Sequence, residues 1–345
     1  MSLTNLIKWS QKEFSHLPWR NNRTLYRTLV SEIMLQQTTV ATVKNHFERF
    51  IERFPDLKSL ALATESELLV AWKGLGYYRR AKNLKKIADV LFNEHAGKFP
   101  KQQDQLELIP GIGPYTSSAI LAIGMDLPAL AIDANLERVI ARLYGIKITK
   151  GPQLHRHIQE LFLDKKIFSQ VTSYRALNEA LMDLGRNYCQ ARKASCDLCP
   201  MNKDCLAAKS GKPLSFPIEV IKKKKEEDHE IHLMRFYVLK KNKLLVYKKV
   251  DSEWLAGQYE VPSAIIKTTD EKLVQYPKLL KAEYKEKFKF KTGITKYTIY
   301  NYVVVVQESE LKKMKLWDLE WRDWDHDEAN LSTATIKGLM KLLSA

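Results

Sequence analysis

The spacing of apolar residues divides the chain into two regions. Up to about residue 215, apolar positions recur every three or four residues, as at Leu84, Ile87 and Leu91, which is the period of an amphipathic helix. Glycine and proline interrupt this pattern where helices are predicted to end, for example at 110–114. The pattern therefore predicts a helical first region.

The pattern in the last third of the chain is typical of strands. Two apolar runs around KKNK in residues 232–250 predict a hairpin, and residues 296–307 are rich in β-branched and aromatic side chains. The chain ends in a predicted helix with Ser332 as its N-cap. Between the two regions, residues 216–229 carry a lysine run followed by acidic residues and are predicted to be a linker.

Together these patterns predict a mostly α domain over residues 1–215 and a smaller α+β domain over residues 230–345. The length of 345 residues suits two domains, each with its own core. No run of about 18 or more apolar residues occurs, which excludes a membrane-spanning helix. The first residues, MSLTNLIKWSQKEF, lack a basic leader followed by an apolar block, so we expect no secretory signal, no membrane partner and a cytoplasmic location.

The balance of charge points to a polyanionic partner. The chain has 56 Lys and Arg residues against 40 Asp and Glu residues, a formal net charge of +16. Clustered cations release counterions from nucleic acid, which favours binding to a phosphate backbone. Charge alone does not separate nucleic acid from an acidic membrane surface or from a merely well-solvated protein surface. It ranks nucleic acid first among the partners and excludes none of the others.

All four cysteines of the chain lie in one short stretch, at Cys189, Cys196, Cys199 and Cys205. Structural disulfides are not expected in a chain without a secretory signal. Four thiolates this close in sequence suit one zinc ion, although zinc sites usually carry two C-x2-C pairs and this stretch has one. A [4Fe–4S] cluster also takes four cysteines. The spacing by itself leaves zinc and cluster open.

Residues 106–124, LELIPGIGPYTSSAILAIG, predict two helices joined by a tight turn. Gly111 and Gly113 allow the backbone to turn sharply and to expose N–H groups at the start of the second helix. The helix dipole is positive there, so the turn suits a DNA phosphate whatever the base. Such glycines also occur for packing alone, but the cysteine stretch and the net charge favour the phosphate interpretation.

Two carboxylates stand out by their position in the pattern. Asp133 follows an apolar run and precedes a helical one, which predicts an N-cap with a structural role. Glu32 lies between Val30 and Ile33, and a carboxylate at the edge of a buried face tends to have a raised pKa. Periodicity alone nevertheless favours a partly exposed Glu32 on an amphipathic helix.

The motifs of the first region resemble those of adenine DNA glycosylases of the MutY type, in the helix-hairpin-helix superfamily that includes endonuclease III. The resemblance is dense over residues 1–210 and looser beyond. Its most specific string is SEIMLQQT, because the endonuclease III branch carries a different string there. The matching stretches, in family order, are LPWR (17–20), SEIMLQQT (31–38), GLGYYRRAKNL (74–84), IPGIGPYTSSAI (109–120), IDANLERVIAR (132–142) and the four cysteines.

This resemblance implies a helix-hairpin-helix glycosylase domain with an iron–sulfur loop at 189–205 that holds a [4Fe–4S] cluster on the four cysteines. It implies excision of adenine mispaired with 8-oxoguanine or guanine in duplex DNA. In this interpretation Glu32 protonates adenine at N7 and Asp133 stabilises the cationic sugar, as two carboxylates do in glycoside hydrolysis. The resemblance also places Tyr115 among the catalytic residues. Bifunctional members carry a lysine at this position that cuts the strand, so a monofunctional enzyme, which only excises the base, is implied.

The resemblance also assigns residues that hold DNA. Gln37 and Tyr77 match residues at the gap left in the distorted duplex, and Glu179 matches a residue at the edge of the flipped adenine. The protein is expected to bind duplex DNA as a monomer. The expected DNA- or base-binding residues are Arg20, Gln37, Tyr77, Gly111, Gly113, Asn135, Glu179 and Thr295.

The second region resembles the Nudix-like C-terminal domain of the same family, with departures. Residues 254–266 match a characteristic stretch, but residues 230–345 contain no acidic Nudix box, which favours lesion recognition over pyrophosphate hydrolysis. Family members read 8-oxoguanine with a Phe-Ser-His loop, where this chain has Ile294, Thr295 and Lys296. Of the activities that the resemblance implies, discrimination of 8-oxoguanine from guanine therefore rests on the weakest sequence match.

Two alternative functions stay open. The first is a helix-hairpin-helix glycosylase of altered base choice, which the weak match at Thr295 motivates. The second is a non-catalytic iron–sulfur protein that binds DNA. The presence of both Glu32 and Asp133 argues against the second alternative.

Overall fold

The structure, a computed structural model, describes residues 3–219, 229–279, 284–324 and 329–344. The chain separates into two compact units, Met1–Ala63 with Arg79–Ile221 and Thr64–Tyr78 with Lys222–Ala345. The predicted succession of a mostly α region and an α+β region is confirmed. Most of the predicted linker, 216–229, lies outside the described residues. Every helix in the described ranges falls short of the length and apolarity that crossing a bilayer requires.

The first unit is built of helices. They are α1 (Leu3–Phe14), α2 (Leu25–Leu35), α3 (Val40–Arg53), α4 (Leu57–Leu62), α6 (Arg79–Asn93), α7 (Gln103–Glu107), α8 (Pro114–Ala119), α9 (Ala134–Leu143), α10 (Pro152–Leu163), α11 (Tyr174–Asn187) and α12 (Leu206–Lys209). A π-helical turn, Ile120–Gly124, continues α8.

Side-chain caps mark where several of these helices begin. Thr24, Thr39 and Ser173 each accept a hydrogen bond from a backbone N–H in the first turn of α2, α3 and α11. Such caps satisfy donors that the helix itself leaves unpaired, and each contributes about 1 kcal/mol.

The core of the first unit lies between α9 and α11, with α1 packed against α11. Val139 and Ile140 of α9 and Leu181 and Leu184 of α11 are almost completely buried. Truncating one such leucine to alanine costs about 2–5 kcal/mol. This packing fixes the relative position of two helices whose other side chains line the site described below.

The second unit combines two small sheets with helices. Its elements are α5 (Glu65–Ala71), β1 (His229–Tyr237), β2 (Leu239–Lys240), β3 (Lys243–Lys248), β4 (Tyr259–Glu260), β5 (Ser263–Thr268), β6 (Phe288–Ile294), β7 (Tyr297–Val305), α13 (Glu308–Met314), β8 (Leu319–Asp323) and α14 (Thr333–Leu343). The first sheet has the order β5-β1-β7-β6, with β1 and β7 parallel and the other pairs antiparallel. In the second sheet β3 pairs antiparallel with β2, β4 and β8.

Two of the strand and helix predictions for this unit are confirmed. The β-branched and aromatic stretch at 296–307 forms β7, in which Ile299, Asn301 and Val303 are buried and alternate with more exposed tyrosines. The side chain of Ser332 accepts from the backbone N–H of Thr335 and begins α14.

The predicted hairpin around KKNK is only partly right. β2 and β3 pair across a turn in which Lys241 has a φ of 55°. The longer strand β1, however, lies in the first sheet between β5 and β7. Residues 233–237 of β1 are all buried, so this strand is covered on both faces and needs partners distant in sequence. Local periodicity does not reveal such partners.

Residues 64–78 belong to the second unit, which the sequence pattern did not indicate. Thr64 and Glu67 form a capping box at the start of α5. Trp72 is fully buried, and its Nε1 donates to the carbonyl of Gly76 over 3.1 Å. A buried tryptophan is one of the largest apolar side chains that a core accommodates, so it anchors this segment.

Candidate active site

A pocket of about 460 Å³ opens in the helical unit. Its walls come from the loop before α2, from α2 itself, from α8, from the start of α9 and from α11. The helices gather side chains that the sequence motifs indicated separately. The sequence-predicted residues that line this pocket are Arg20, Glu32, Tyr115, Asp133, Asn135 and Glu179.

Glu32 is buried in the pocket wall. It is 5% exposed, and eight of the eleven residues of α2 are buried, so α2 is a central helix. The prediction of a partly exposed Glu32 is therefore wrong, because periodicity identifies the apolar face but not the neighbours that cover the other faces. Burial, and to a smaller extent the charges of Glu179 and Asp133, raises the pKa of Glu32 to about 7.

Tyr115 supplies the hydrogen bond to Glu32. It lies in α8, and its hydroxyl donates to Oε2 of Glu32 over 2.7 Å. Burial, together with the charges of Glu32 and Asp133, holds the pKa of Tyr115 well above its ordinary value. The phenol therefore stays a neutral donor at physiological pH. The π-helical turn that follows α8 is an irregularity often found at functional sites.

Asp133 caps α9 and lines the pocket at the same time. Its Oδ1 accepts from the backbone N–H groups of Asn135 and Leu136 at 2.9 and 2.7 Å, which confirms the predicted N-cap. Although the residue as a whole is exposed, desolvation of the carboxyl raises the pKa of Asp133, and the two N–H bonds and Arg138 oppose that rise. Because the cap engages Oδ1 alone, Oδ2 remains to face a positive charge in the pocket.

Glu179 of α11 lies next to two arginines. Its Oε1 accepts from Nη2 of Arg23 over 2.6 Å and is 3.5 Å from Nε of Arg20. The closer ion pair of Arg20 is with Asp183, where Nη2 and Oδ2 are 3.0 Å apart. Asp183 also accepts from the hydroxyl of Ser10 over 2.5 Å. This network fixes the loop before α2 to α11.

Hydrogen bonds connect the start of α9 with the cysteine stretch. The side chain of Asn135 accepts from Arg138, whose Nε donates to the carbonyl of Cys189 over 2.7 Å. One turn later, Arg142 Nη1 donates to Sγ of Cys189 over 3.3 Å. Gly185 makes room for this arrangement, because a Cβ at that position would overlap the side chain of Asn135.

The four cysteines line one small cavity, together with residues of α9 and α11. None of them forms a disulfide. Burial, with the nearby thiols Cys189, Cys205 and Cys196, raises the pKa of Cys199 to about 11. Within the described ranges no three His, Cys, Asp or Glu side chains form a group that suits a single metal ion. The structure therefore gathers the four predicted ligands around one space, but not in the arrangement of a single-ion site.

The turn between α7 and α8 has the form predicted for the glycine pair. Gly111 has a φ of 103°, and a Cβ there would meet Asn83 and Ile87 at 3.3 Å. Gly113 is the N-cap of α8, with Pro114 as the first helical residue. Both the conformation and the close approach explain the requirement for glycine at position 111.

The three other predicted DNA contacts are not among the residues that line this pocket, although Gln37 is next to the lining residue Thr38. Gln37 is exposed just beyond α2, with a φ of 56°. Tyr77 is 58% exposed and belongs to the second unit, with a φ of 48°. Thr295 is exposed in the turn between β6 and β7, with a φ of 51°. All three have the left-handed backbone conformation that non-glycine residues adopt infrequently.

Arg23 is a pocket residue that the motifs did not single out. It lies in the loop before α2, and its partner Glu179 is 156 positions away in the sequence. A pairing over that distance depends on how the helices pack, and no local pattern marks it. Its neighbour Thr24 could be recognised as a helix cap, but a cap says nothing about the residue before it.

Comparison with known proteins places these features in a family. Residues 30–163 match the family described as HhH-GPD superfamily base excision DNA repair protein. The chain is similar to an adenine DNA glycosylase of Mycolicibacterium smegmatis, with 30% identity over 258 residues that cover 74% of this chain and 86% of that protein. It is also similar to the adenine DNA glycosylase of Buchnera aphidicola subsp. Acyrthosiphon pisum, with 35% identity over 220 residues. That match covers 63% of this chain and 62% of the Buchnera protein.

Among solved structures, a thermostable thymine-DNA glycosylase has a similar fold. The TM-score is 0.52 at 26% sequence identity, and the match covers 60% of this chain and 95% of that chain. This coverage corresponds to a single helical domain of the size of the first unit.

Proposed function

Because the chain belongs to the adenine DNA glycosylase family, we propose that it hydrolyses the N-glycosidic bond of adenine mispaired with 8-oxoguanine or guanine in duplex DNA. The observation that carries this proposal is the buried Glu32, hydrogen bonded to Tyr115 in one pocket with Asp133. A base can reach such a pocket only after it leaves the helical stack. The volume of about 460 Å³ lies in the range of ordinary small-molecule sites.

Glu32 acts as the proton donor. Adenine is a poor leaving group until one of its ring nitrogens, here N7, is protonated. A carboxyl with a pKa of about 7 is partly protonated at neutral pH, whereas an ordinary glutamate is not. Since the Tyr115 hydroxyl donates to Oε2, the transferable proton resides on Oε1. Tyr115 thus orients the acid as well as contacting it.

Asp133 stabilises the charge that remains on the sugar. Cleavage of the glycosidic bond leaves a cation, and an ionised carboxylate close to it lowers the barrier. The cap hydrogen bonds to Asn135 and Leu136 favour the ionised form of Asp133. Burial raises the pKa of both carboxyl groups, but only at Asp133 do backbone N–H groups and Arg138 oppose that rise and support the anion.

The enzyme leaves the DNA strand intact after excision. Strand cleavage in related chemistry needs an amine that forms a Schiff base with the sugar. Tyr115, at the position of that amine, carries a phenol whose raised pKa keeps it neutral. Among the described residues that line the pocket there is no lysine. Water completes the reaction, and the product is an abasic site.

Cys189, Cys196, Cys199 and Cys205 hold a [4Fe–4S] cluster. Zinc also takes four thiolates, and membership of the glycosylase family favours the cluster over zinc. A [4Fe–4S] cluster takes four cysteine thiolates, and all four cysteines line one small cavity that would receive it. The bound cluster supplies positive iron centres that stabilise the thiolates and join the two ends of the cysteine stretch.

The remaining assignments concern DNA and the second unit. The N–H groups at Gly111 and Gly113 receive a backbone phosphate, and Arg20 and Asn135 line the approach of the flipped base. Gln37 and Tyr77 contact the distorted duplex. The second unit is a Nudix-like domain in which Thr295 contacts the base opposite adenine. The protein acts as a cytoplasmic monomer.

The test is single-turnover excision on duplexes that contain adenine opposite 8-oxoguanine, guanine or thymine, with an oxidised pyrimidine as a fourth substrate. Strand breaks that need alkali and occur only opposite 8-oxoguanine or guanine support the proposal. Comparable rates of adenine release opposite all partners mean that the opposite base is not read, which the exposed turn at Thr295 motivates. Release of the oxidised pyrimidine in place of adenine points to altered base choice. Tight DNA binding without excision of any base contradicts an enzymatic function.

A further inference from the structure

Arg23 is the principal partner of Glu179 within the pocket. Its side chain is 16% exposed, and its Nη2 lies 2.6 Å from Oε1 of Glu179. Arg20 is the second cation nearby, but its Nε is 3.5 Å from the same oxygen and its Nη2 pairs with Asp183 at 3.0 Å. Arg23 therefore contributes the stronger of the two contacts.

This contact leaves the two oxygens of Glu179 unequal. In the part of the chain that the structure describes, the hydrogen bond and ion pairs of Glu179 all fall on Oε1. Oε2 remains an acceptor for a ligand in the pocket. An ionised carboxylate accepts hydrogen bonds and cannot donate them. It therefore suits a base with an exocyclic amine, such as the N6 group of adenine, and repels the O6 acceptor of guanine.

We infer that Arg23 is a positioning residue that holds Glu179 with one oxygen free for the exocyclic amine of the flipped base. In this way Arg23 sets the preference for a base that carries that amine. The inference rests on the proposed function, because it assumes that the pocket receives a flipped purine. It assigns to Arg23 a role in base selection and no direct part in bond cleavage.

The arrangement also couples Arg23 to the acid. The charged and titratable groups around Glu32 are Tyr115 from α8, Asp133 from the start of α9, Glu179 from α11 and Arg23 from the loop before α2. Glu179 raises the pKa of Glu32 and Arg23 lowers it. Loss of the cation therefore raises the pKa of Glu32. Because the protonated acid is the active form, the alkaline fall in rate moves to higher pH.

The experiment compares Arg23→Gln and Arg23→Lys with the unaltered chain. The substrates are adenine and unsubstituted purine, which lacks the N6 amine, each opposite 8-oxoguanine. Arg27→Gln is the matched control, because Arg27 pairs with Glu48 and does not line the pocket. Single-turnover rates are measured for both substrates across the pH range in which the chain is active.

We expect Arg23→Gln to lower the adenine-to-purine rate ratio by about tenfold, as for the loss of one oriented hydrogen bond to a charged acceptor. In the pH–rate profile for adenine, the fall in rate on the alkaline side (the alkaline limb) moves up by about 0.5–1 pH unit. Arg23→Lys keeps the charge but not the planar guanidinium. Arg23→Lys therefore restores the original pH dependence of adenine excision but recovers only part of the adenine-to-purine rate ratio. Arg27→Gln changes neither quantity.

The unaltered chain could excise adenine while both Arg23 variants keep its adenine-to-purine rate ratio and its pH dependence. That result overturns this inference and leaves the proposed function in place. A uniform loss of rate at every pH, with the ratio preserved, also overturns it, because it indicates a purely structural role. If Arg23→Gln does not fold, the ratio measured for Arg23→Lys decides. Absence of adenine release by the unaltered chain instead overturns the proposed function, and this inference with it.

Discussion

Glu32 in the helical unit and Glu260 in the sheet unit are both buried glutamates, yet their acidities move in opposite directions. They are 5% and 1% exposed. Burial dominates at Glu32 and raises its pKa to about 7. Burial acts in the same direction at Glu260, but the charges of Arg235 and Lys249 outweigh it, and the pKa of Glu260 is lowered.

The difference lies in the partners of each carboxyl. Arg235 Nη1 is 2.7 Å from one oxygen of Glu260, and Lys249 Nζ is 3.5 Å from the other, which Tyr276 also contacts at 3.2 Å. The hydrogen bond to Glu32 comes instead from a neutral phenol. A buried carboxylate in contact with two cations stays ionised and structural. One that contacts no cation directly has its pKa shifted toward neutral pH and becomes available for proton transfer.

The largest effect on excision is expected for Glu32→Gln. The amide keeps the size of the side chain but has no acidic proton, so the single-turnover excision rate falls by about 10²–10⁴-fold. The affinity for duplex DNA and the free energy of unfolding stay near those of the unaltered chain, because no buried ion pair is broken. An excision rate close to the original would remove Glu32 from the mechanism.

The reciprocal change, Glu260→Gln, is expected to reduce stability. It leaves Arg235 and Lys249 buried without their shared anion, which lowers the free energy of unfolding of the second unit by about 3–5 kcal/mol. Denaturant unfolding followed by tryptophan fluorescence measures this loss. Glu320→Gln is the control, because that side chain is 48% exposed and its removal costs little. Equal stability of the two variants would contradict a structural role for the buried Glu260 carboxylate.

The pH dependence separates the two glutamates further. A lowered pKa means that the contribution of Glu260 to stability is present above the ordinary glutamate pKa and is lost as the pH falls below it. Excision, by contrast, requires protonated Glu32 and falls as the pH rises through about 7. An unfolding midpoint that decreases in acid and an excision rate that decreases in base are the two expected profiles. A single profile shared by both properties would contradict separate roles.

Tyr115→Phe gives a smaller effect on the same profile. The hydroxyl of Tyr115 lowers the pKa of Glu32 by donating to it, so its removal raises that pKa. We expect the alkaline limb to move up by about 0.5–1 pH unit and the rate at the optimum to fall by about tenfold. An unchanged alkaline limb would show that Tyr115 does not donate a hydrogen bond to Glu32 in the active state.

The smallest effect is expected at Thr295, far in sequence from either glutamate. This β-branched residue has a φ of 51° in the turn between β6 and β7, a conformation that costs about 1 kcal/mol. Thr295→Asn relieves that strain and raises the free energy of unfolding by a similar amount. If Thr295 contacts the base opposite adenine, the ratio of rates opposite 8-oxoguanine and guanine changes as well. A stability below that of the unaltered chain would contradict the strain argument.

Local sequence features predicted what depends on local structure. The caps at Asp133 and Ser332, the glycine turn at Gly111 and the strand-forming stretch at 296–307 each follow from a few neighbouring residues. The burial of Glu32 did not follow, because it depends on the helices that cover α2. For the same reason no pattern identified the Arg23–Glu179 pair or the membership of residues 64–78 in the second unit.

Burial without a hydrogen-bonded cation is what makes Glu32 an acid near neutral pH. The most direct measurement is a ¹³C NMR titration of glutamate side-chain carboxyls in the unaltered chain and in Glu32→Gln. One resonance is expected to titrate near pH 7 and to be missing from the variant. A Glu32 resonance that titrates at the ordinary glutamate pKa would contradict it.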